Sequence, residues 1–225
     1  MRAARARELA AKHPDAAEVL LLIARAYEII DSVGAVQWDD LPSLLSRLRA
    51  ELAPLAPGPL REVKPDAEEL GRYLQAPDPL MPASFYARLA LEAWARQAPI
   101  QQQKPKPNEC PRCGHAPQLG VLRMEGNGEA LRLACSLCRR EWPFRRITCP
   151  QCSETDHQKL AFYSTPGFPH VQVQTCLTCS TYLYLFQVEK DPALVAEVDE
   201  MSLLAIDVWA LELGYQKIWP NLAGL

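Results

Sequence analysis

Four Cys-x-x-Cys pairs dominate this chain: Cys110/Cys113, Cys135/Cys138, Cys149/Cys152 and Cys176/Cys179 account for all eight cysteines. The gaps between successive pairs are 21, 10 and 23 residues. CPRC at 110 and CPQC at 149 are 39 residues apart, and CSLC at 135 and CLTC at 176 are 41 apart. A unit of roughly forty residues is therefore duplicated. Each unit has the spacing of a zinc ribbon or rubredoxin-like module with a slightly long middle. Two thiolates three residues apart sit on a tight turn, and the intervening hairpin brings a second such turn opposite the first. Four sulfurs then complete a closed tetrahedral shell. The ten-residue gap is too short for such a hairpin. The pairing expected is thus Cys110, Cys113, Cys135 and Cys138 in one site, and Cys149, Cys152, Cys176 and Cys179 in the other. Glu141 to Thr148 becomes a connection between ribbons.

Whether these pairs mean metal, disulfide or thiol exchange depends on compartment. The opening MRAARARELAAKHPDAAEVLLLIARAYEII is basic, but Glu8, Asp15, Glu18 and Arg25 interrupt anything like an export signal. The apolar run from Val19 to Ala24 is too short to span a bilayer. A cytoplasmic location is expected, where paired cysteines point to metal before disulfides. Redox Cys-x-x-Cys motifs come singly at a helix start, whereas four knuckles come as metal turns. All-thiolate tetrahedra suit either zinc or a single iron, so two metal ions of one of these kinds are the expected cofactors. A forty-residue ribbon has too little core to fold alone, so the ion supplies much of its folding free energy.

The rest of the chain frames these modules. Residues 1–98 lack cysteine and read as helical: Pro14 starts a helix with Leu20, Ile23, Tyr27 and Ile30 on one face. A second helix covers Pro42 to Leu52, and the Pro-rich break LAPLAPGPL follows. Pro65 with Asp66, Glu68 and Glu69 marks another helix start, and Pro82 to Gln97 supplies the last. Residues 99–109, nearly devoid of apolar side chains, read as a linker. Short β-prone runs follow at Gln118–Met124, Ala130–Ala134, Leu160–Ser164, Val171–Thr175 and Thr181–Val188. Asp191 and Pro192 then look like the start of one long helix to about Tyr215, with Val195, Val198, Met201, Ala205 and Val208 inward. The expected class is α+β: a helical domain (1–98), a linker (99–109), two tandem rubredoxin-like or zinc-ribbon modules (110–148 and 149–188), and a C-terminal helix and tail (189–225).

Other chemistry is sparse. His115 lies beside Cys113, but each shell already has four sulfurs. Arg132, Arg139, Arg140, Arg145 and Arg146 interleave with Trp142 and Phe144, a pattern suited to nucleic acid or to protein docking. The net charge of −3 and pI near 5.9 give no general pull toward nucleic acid. No phosphate-binding glycine loop, Ser-His-Asp constellation or catalytic carboxylate pair stands out, and closed metal shells leave no open coordination position.

CPRCG at 110, CSLCRREW at 135, CPQC at 149, CLTCSTYLYLFQVEKDP at 176 to 192 and LAIDVWALELGYQK beyond resemble the FdhE family, the accessory proteins of formate dehydrogenase assembly. EW after the second knuckle and EKDP after the fourth distinguish this pattern from generic ribbons. Two departures stand out: residues 1–107 are short beside the family's helical N-terminal domain, and glycine follows only Cys113, with Arg139, Ser153 and Ser180 in the other three places. The resemblance implies a non-enzymatic cytoplasmic protein that binds the catalytic subunit of formate dehydrogenase during maturation. It also implies that the eight cysteines hold two metals, iron or zinc. Arg139, Arg140, Glu141, Trp142, Glu189, Lys190 and Asp191, in or beside the family motifs, are candidate partner contacts. The competing readings are a nucleic-acid-binding zinc ribbon and a thiol or iron redox protein.

Overall fold

The computed structural model describes residues 1–98, 106–222 and 224. It divides into two compact units, Met1–Pro99 with Leu222–Gly224, and Ile100–Asn221. Of the expected linker, residues 99–105 lie outside the described residues. Lys106 and Glu109 form a turn closed by a Glu109 N–H to Lys106 O bond of 2.9 Å.

The first unit is helical: α1 Arg2–Lys12, α2 Ala17–Ser32, α3 Leu41–Leu52, α4 Gly58–Glu62, α5 Ala67–Gln75 and α6 Pro82–Ala95. Pro14 opens a 3₁₀ turn that feeds α2, whose Leu20, Ile23, Tyr27 and Ile30 are buried as their spacing predicts. Asp66 caps α5 by accepting the Glu69 N–H at 3.0 Å. Helix α1 is absent from the sequence-based reading for a physical reason. Its buried face carries Arg2 and Arg5 beside Ala6 and Leu9, so no apolar stripe reveals it. Arg2 lies 4.0 Å over the Tyr27 ring and pairs with Glu92 of α6, which is fully buried.

The second unit contains all eight cysteines and one seven-stranded sheet. Strands β1 Pro117–Glu125, β2 Gly128–Cys135 and β3 Glu141–Phe144 form one antiparallel ribbon. Strands β4 Leu160–Ser164, β5 Val171–Cys176 and β6 Thr181–Gln187 form the other. Glu141 to Phe144, expected to be connection, is therefore a strand; Trp142 pairs with Leu133 and its side chain is buried. The two ribbons share a sheet because β1 and β6 pair in parallel, giving the order β3-β2-β1-β6-β5-β4, with β7 (Gln216–Lys217) beside the start of β6. A Cβ on Gly120 at this seam would sit 2.6 Å from Leu185 Cδ2 and 2.7 Å from Leu131 Cδ1. Gly120→Val is therefore expected to cost about 1–3 kcal/mol through overpacking, measured by urea unfolding of the metal-loaded protein. A cost below that range would mean that the two leucines reorient freely.

The expected long C-terminal helix is broken into α7 Ala196–Asp199, a 3₁₀ turn Glu200–Ser202, and α8 Leu204–Glu212. Asp191 closes only a turn, accepting the Ala193 N–H at 2.9 Å. Leu203, at φ −95° and ψ 20°, separates the 3₁₀ turn from α8. The restart changes the inward face. Val195, Val198 and Met201 are buried as expected, but Ala205 and Val208 face solvent, and Asp207 and Ala210 turn inward instead. Leu119, Val121, Val173, Tyr184, Phe186 and Leu203 lie at the centre of the core beneath α8.

Candidate metal centres

Each Cys-x-x-Cys pair sits on the same turn. Cys110 N–H donates to His115 O at 3.0 Å, Cys135 N–H to Arg140 O at 3.0 Å and Cys149 N–H to Glu154 O at 2.8 Å. In the fourth knuckle, Cys176 pairs with Thr181, again five residues on. Within the turns, backbone N–H groups aim at sulfur: Arg112 to Cys110 at 3.4 Å, Leu137 to Cys135 at 3.3 Å and Gln151 to Cys149 at 3.4 Å. Such donors favour the thiolate. The turn requires a left-handed residue after its second cysteine, and Gly114, Arg139, Ser153 and Ser180 have φ of 76°, 59°, 64° and 53°. The missing glycines thus leave the backbone geometry unchanged. A left-handed non-glycine costs about 1–2 kcal/mol, against about 0.5–1 kcal/mol for the extra freedom of an unfolded glycine. Ser153→Gly and Ser180→Gly are expected to stabilise the loaded protein by up to about 1 kcal/mol in urea titrations. Arg139→Gly is not, because it removes the bond from Arg139 Nη1 to Gln118 Oε1 at 2.6 Å.

The eight sulfurs gather as two sets of four, Cys110, Cys113, Cys135 and Cys138, and Cys149, Cys152, Cys176 and Cys179, each within 4.8 Å. Cys110–Cys138, Cys113–Cys135 and Cys113–Cys138 sulfurs lie 3.3–3.5 Å apart in the first set, and Cys149–Cys179 and Cys152–Cys176 sulfurs 3.6–3.7 Å apart in the second. A disulfide needs about 2.05 Å, and all eight cysteines are free. A tetrahedron of sulfurs around an ion at about 2.3 Å has edges near 3.8 Å, so both clusters have the donor set and nearly the dimensions for one ion. Burial pushes the Cys135 and Cys149 thiols up; four thiols crowded this closely lose their protons together only against a cation. His115 contributes no atom to either cluster; its Nδ1 lies 3.2 Å from Cys113 O.

Comparison with known proteins places these clusters. A family model described as "FdhE, central domain" matches residues 109–146, and "FdhE, C-terminal domain" matches residues 147–223. Together they cover just over half of the chain without a gap. The chain belongs to the FdhE family. Among relatives named "Protein FdhE homolog", that of Pseudomonas aeruginosa is 37% identical over 118 residues, 50% of this chain and 38% of that protein. The Aquifex aeolicus relative is 26% identical over 140 residues, 62% of this chain and 50% of that protein. By sequence, the chain spans about half the length of the curated relatives it matches. The crystal structure of the FdhE protein from Pseudomonas aeruginosa superimposes with a TM-score of 0.71 at 24% identity, covering 98% of this chain and 93% of that one. At that identity the likeness speaks for the fold.

The residues that mark the family pattern have unequal settings. Trp142 is buried and donates its indole N–H to Pro107 O at 3.0 Å, so it acts as a wall of the first ribbon. Glu141 accepts both Arg123 Nε at 3.0 Å and Arg123 Nη2 at 2.8 Å. This bond, with a weaker pull from Glu189, raises the Arg123 pKa. The REW motif is thus tied to β1 through the Glu141–Arg123 pair. Arg140, Glu189 and Lys190 are exposed, Lys190 reaching Pro169 O at 3.0 Å; Asp191 is half-buried in its turn. Arg139 is half-buried against Gln118.

One feature escaped the sequence-based reading. Fully buried Glu200 and Asp207 share Lys217, whose Nζ lies 2.6 Å from Glu200 Oε1 and 3.3 Å from Asp207 Oδ1. Tyr182 and Tyr184 each donate to Asp207 Oδ1 at 2.6 Å, and Gln118 Nε2 donates to Glu200. Burial, with Asp207 alongside, raises both tyrosine pKa values. The available signal was an aspartate inside the apolar run LLAIDVWAL, with two tyrosines at i, i+2 on one strand face.

Proposed function

We propose that this chain is an accessory protein for formate dehydrogenase assembly, which holds one metal ion in each cysteine cluster and binds the catalytic subunit through its cysteine-bearing unit. The observation that carries this reading is the uninterrupted family match from residue 109 to 223, within which all eight ligands fall. Cys110, Cys113, Cys135 and Cys138 hold the first ion, iron or zinc, and Cys149, Cys152, Cys176 and Cys179 the second. The ions fix the four knuckles, and the knuckles fix the surface around Arg123, Arg140, Glu189 and Lys190. Closed four-sulfur shells support a binding role rather than catalysis. No helix among the described residues is long and apolar enough to cross a membrane, and the eight free thiols suit the reducing cytoplasm.

Three of the five arginines of the middle segment, Arg132, Arg139 and Arg146, are engaged by neighbouring side chains, which disfavours a nucleic-acid site. Arg132 pairs with Glu125 at 3.2 Å, and Arg146 with Glu129 at 3.1 Å. No retention on DNA at low salt is expected. The test of the main reading is affinity isolation of the tagged protein from its own host, together with deletion of its gene. Recovery of the catalytic subunit and loss of formate oxidation are expected. An isolate free of that subunit, with formate oxidation intact in the deletion strain, would overturn the proposal.

A further inference from the structure

The two clusters differ in how they are closed. In the first, the knuckle Cys135–Cys138 is buried along its whole length, Ser136 and Leu137 included, and Pro111 to Cys113 are half-buried. In the second, both knuckle tips face solvent: Gln151, Cys152 and Ser153 on one side, Leu177 and Thr178 on the other. Cys152 is exposed and Cys179 half-buried, although Cys149 and Cys176 are buried. What spans the second cluster is a polar clasp. Thr178 Oγ1, between two ligands, donates to Glu154 Oε2 at 2.6 Å, tying one knuckle to the other, and Lys159 Nζ lies 3.4 Å from the same carboxylate oxygen. The equivalent positions of the first cluster are His115 and Leu137, which offer no carboxylate–hydroxyl pair.

We propose that the second cluster is an exchange site for a thiophilic divalent ion, entered through Cys152 and latched by Thr178 and Glu154, while the first is a permanent structural centre. The proposal rests on the reading that both clusters hold metal. Exchange of a four-thiolate ion begins when an incoming ligand attacks the metal and displaces one sulfur. An exposed ligand on an exposed turn, as Cys152 is, permits that approach; the first cluster has three buried ligands and a half-buried Cys113, and none that is exposed. Separation of the knuckles then requires the Thr178 bond to open. Its loss removes a hydrogen bond to a charged acceptor, so Thr178→Val, of the same shape, is expected to speed release from the second site by about three- to tenfold.

The experiment uses the full chain loaded with zinc to two ions, mixed with excess pyridylazoresorcinol, and sampled by cysteine alkylation and peptide mass mapping. Release is expected in two phases of one equivalent each, separated by at least about tenfold in rate. Alkylation should reach Cys149, Cys152, Cys176 and Cys179 in the fast phase, and Thr178→Val should accelerate that phase alone. Two ions leaving together, or fast-phase alkylation of Cys110, Cys113, Cys135 and Cys138, would overturn the proposal while leaving the metal reading intact. A chain that takes up fewer than two ions would overturn the metal reading and the proposal with it.

Discussion

Removal of both metals is expected to unfold the cysteine-bearing unit while the helical signal of the first unit survives. Structural zinc contributes about 10–16 kcal/mol in small peptide modules at neutral pH, as much as the entire stability of an ordinary domain, about 5–15 kcal/mol. The sheet has an apolar core around Leu119, Val173, Tyr184 and Phe186, but the second cluster itself packs against little beyond Leu160. Without an ion the knuckles become eight close-set thiols and three left-handed non-glycine residues. Circular dichroism during chelation should therefore lose near-ultraviolet and strand signal before helical signal, and replacement of buried Cys135 by serine should have the same effect at the first site. Acid should act likewise. The loaded protein carries thiolates where the unfolded chain carries thiols below about pH 8.5, so the unfolded state binds more protons and stability falls as pH falls. A chelated protein that melts like the loaded one would mean that the metal adds nothing to the fold.

Lys217→Met is expected to destabilise the loaded protein by about 3–5 kcal/mol, because it strips the cation from two carboxylates that are buried away from water. The loss is specific to charge, since methionine keeps much of the side-chain volume. Burial raises the Glu200 pKa, against the opposing pull of Lys217. In the variant that opposition is gone, so Glu200 takes up a proton more readily. The folded state then binds a proton that the unfolded chain releases, and the deficit shrinks as pH falls and widens as it rises. Glu200→Gln in the same background should recover part of the loss. Urea titrations at two pH values measure both effects; a single variant within about 0.5 kcal/mol of the parent would show that Glu200 and Asp207 are stabilised by other partners.

Local chemistry made the cysteine framework readable. Cys-x-x-Cys spacing sets turns, the duplication sets pairing, and the grouping of eight sulfurs into two sets of four follows from one short and two long gaps. Strands such as Leu160–Ser164 were legible from β-branched and aromatic runs, and α2, α3, α5 and α6 from period and proline. What escaped was decided by long-range partners. Helix α1 turns arginines inward because Glu92 and Tyr27 are there to receive Arg2. Strand β3 contains Pro143 and charged neighbours, and becomes a strand only because β2 offers an edge. Two ribbons become one sheet through the parallel pairing of Gly120 to Leu122 with Leu185 to Gln187, which no local pattern announces. After Lys190, apolar period alone favoured an unbroken helix with Val208 inward. The partners of Asp207 decided otherwise: two tyrosines and a lysine gather on Oδ1 of a buried carboxylate that the helical pattern would have left outside.

Elemental analysis of the untagged full chain, with an absorption spectrum, tests the two-centre account most directly. Two atoms of zinc, iron or a mixture per chain are expected, with ferric–thiolate bands wherever iron is present and no cysteine open to alkylation before a chelator is added. A folded protein with no bound metal and eight freely reacting thiols would contradict it.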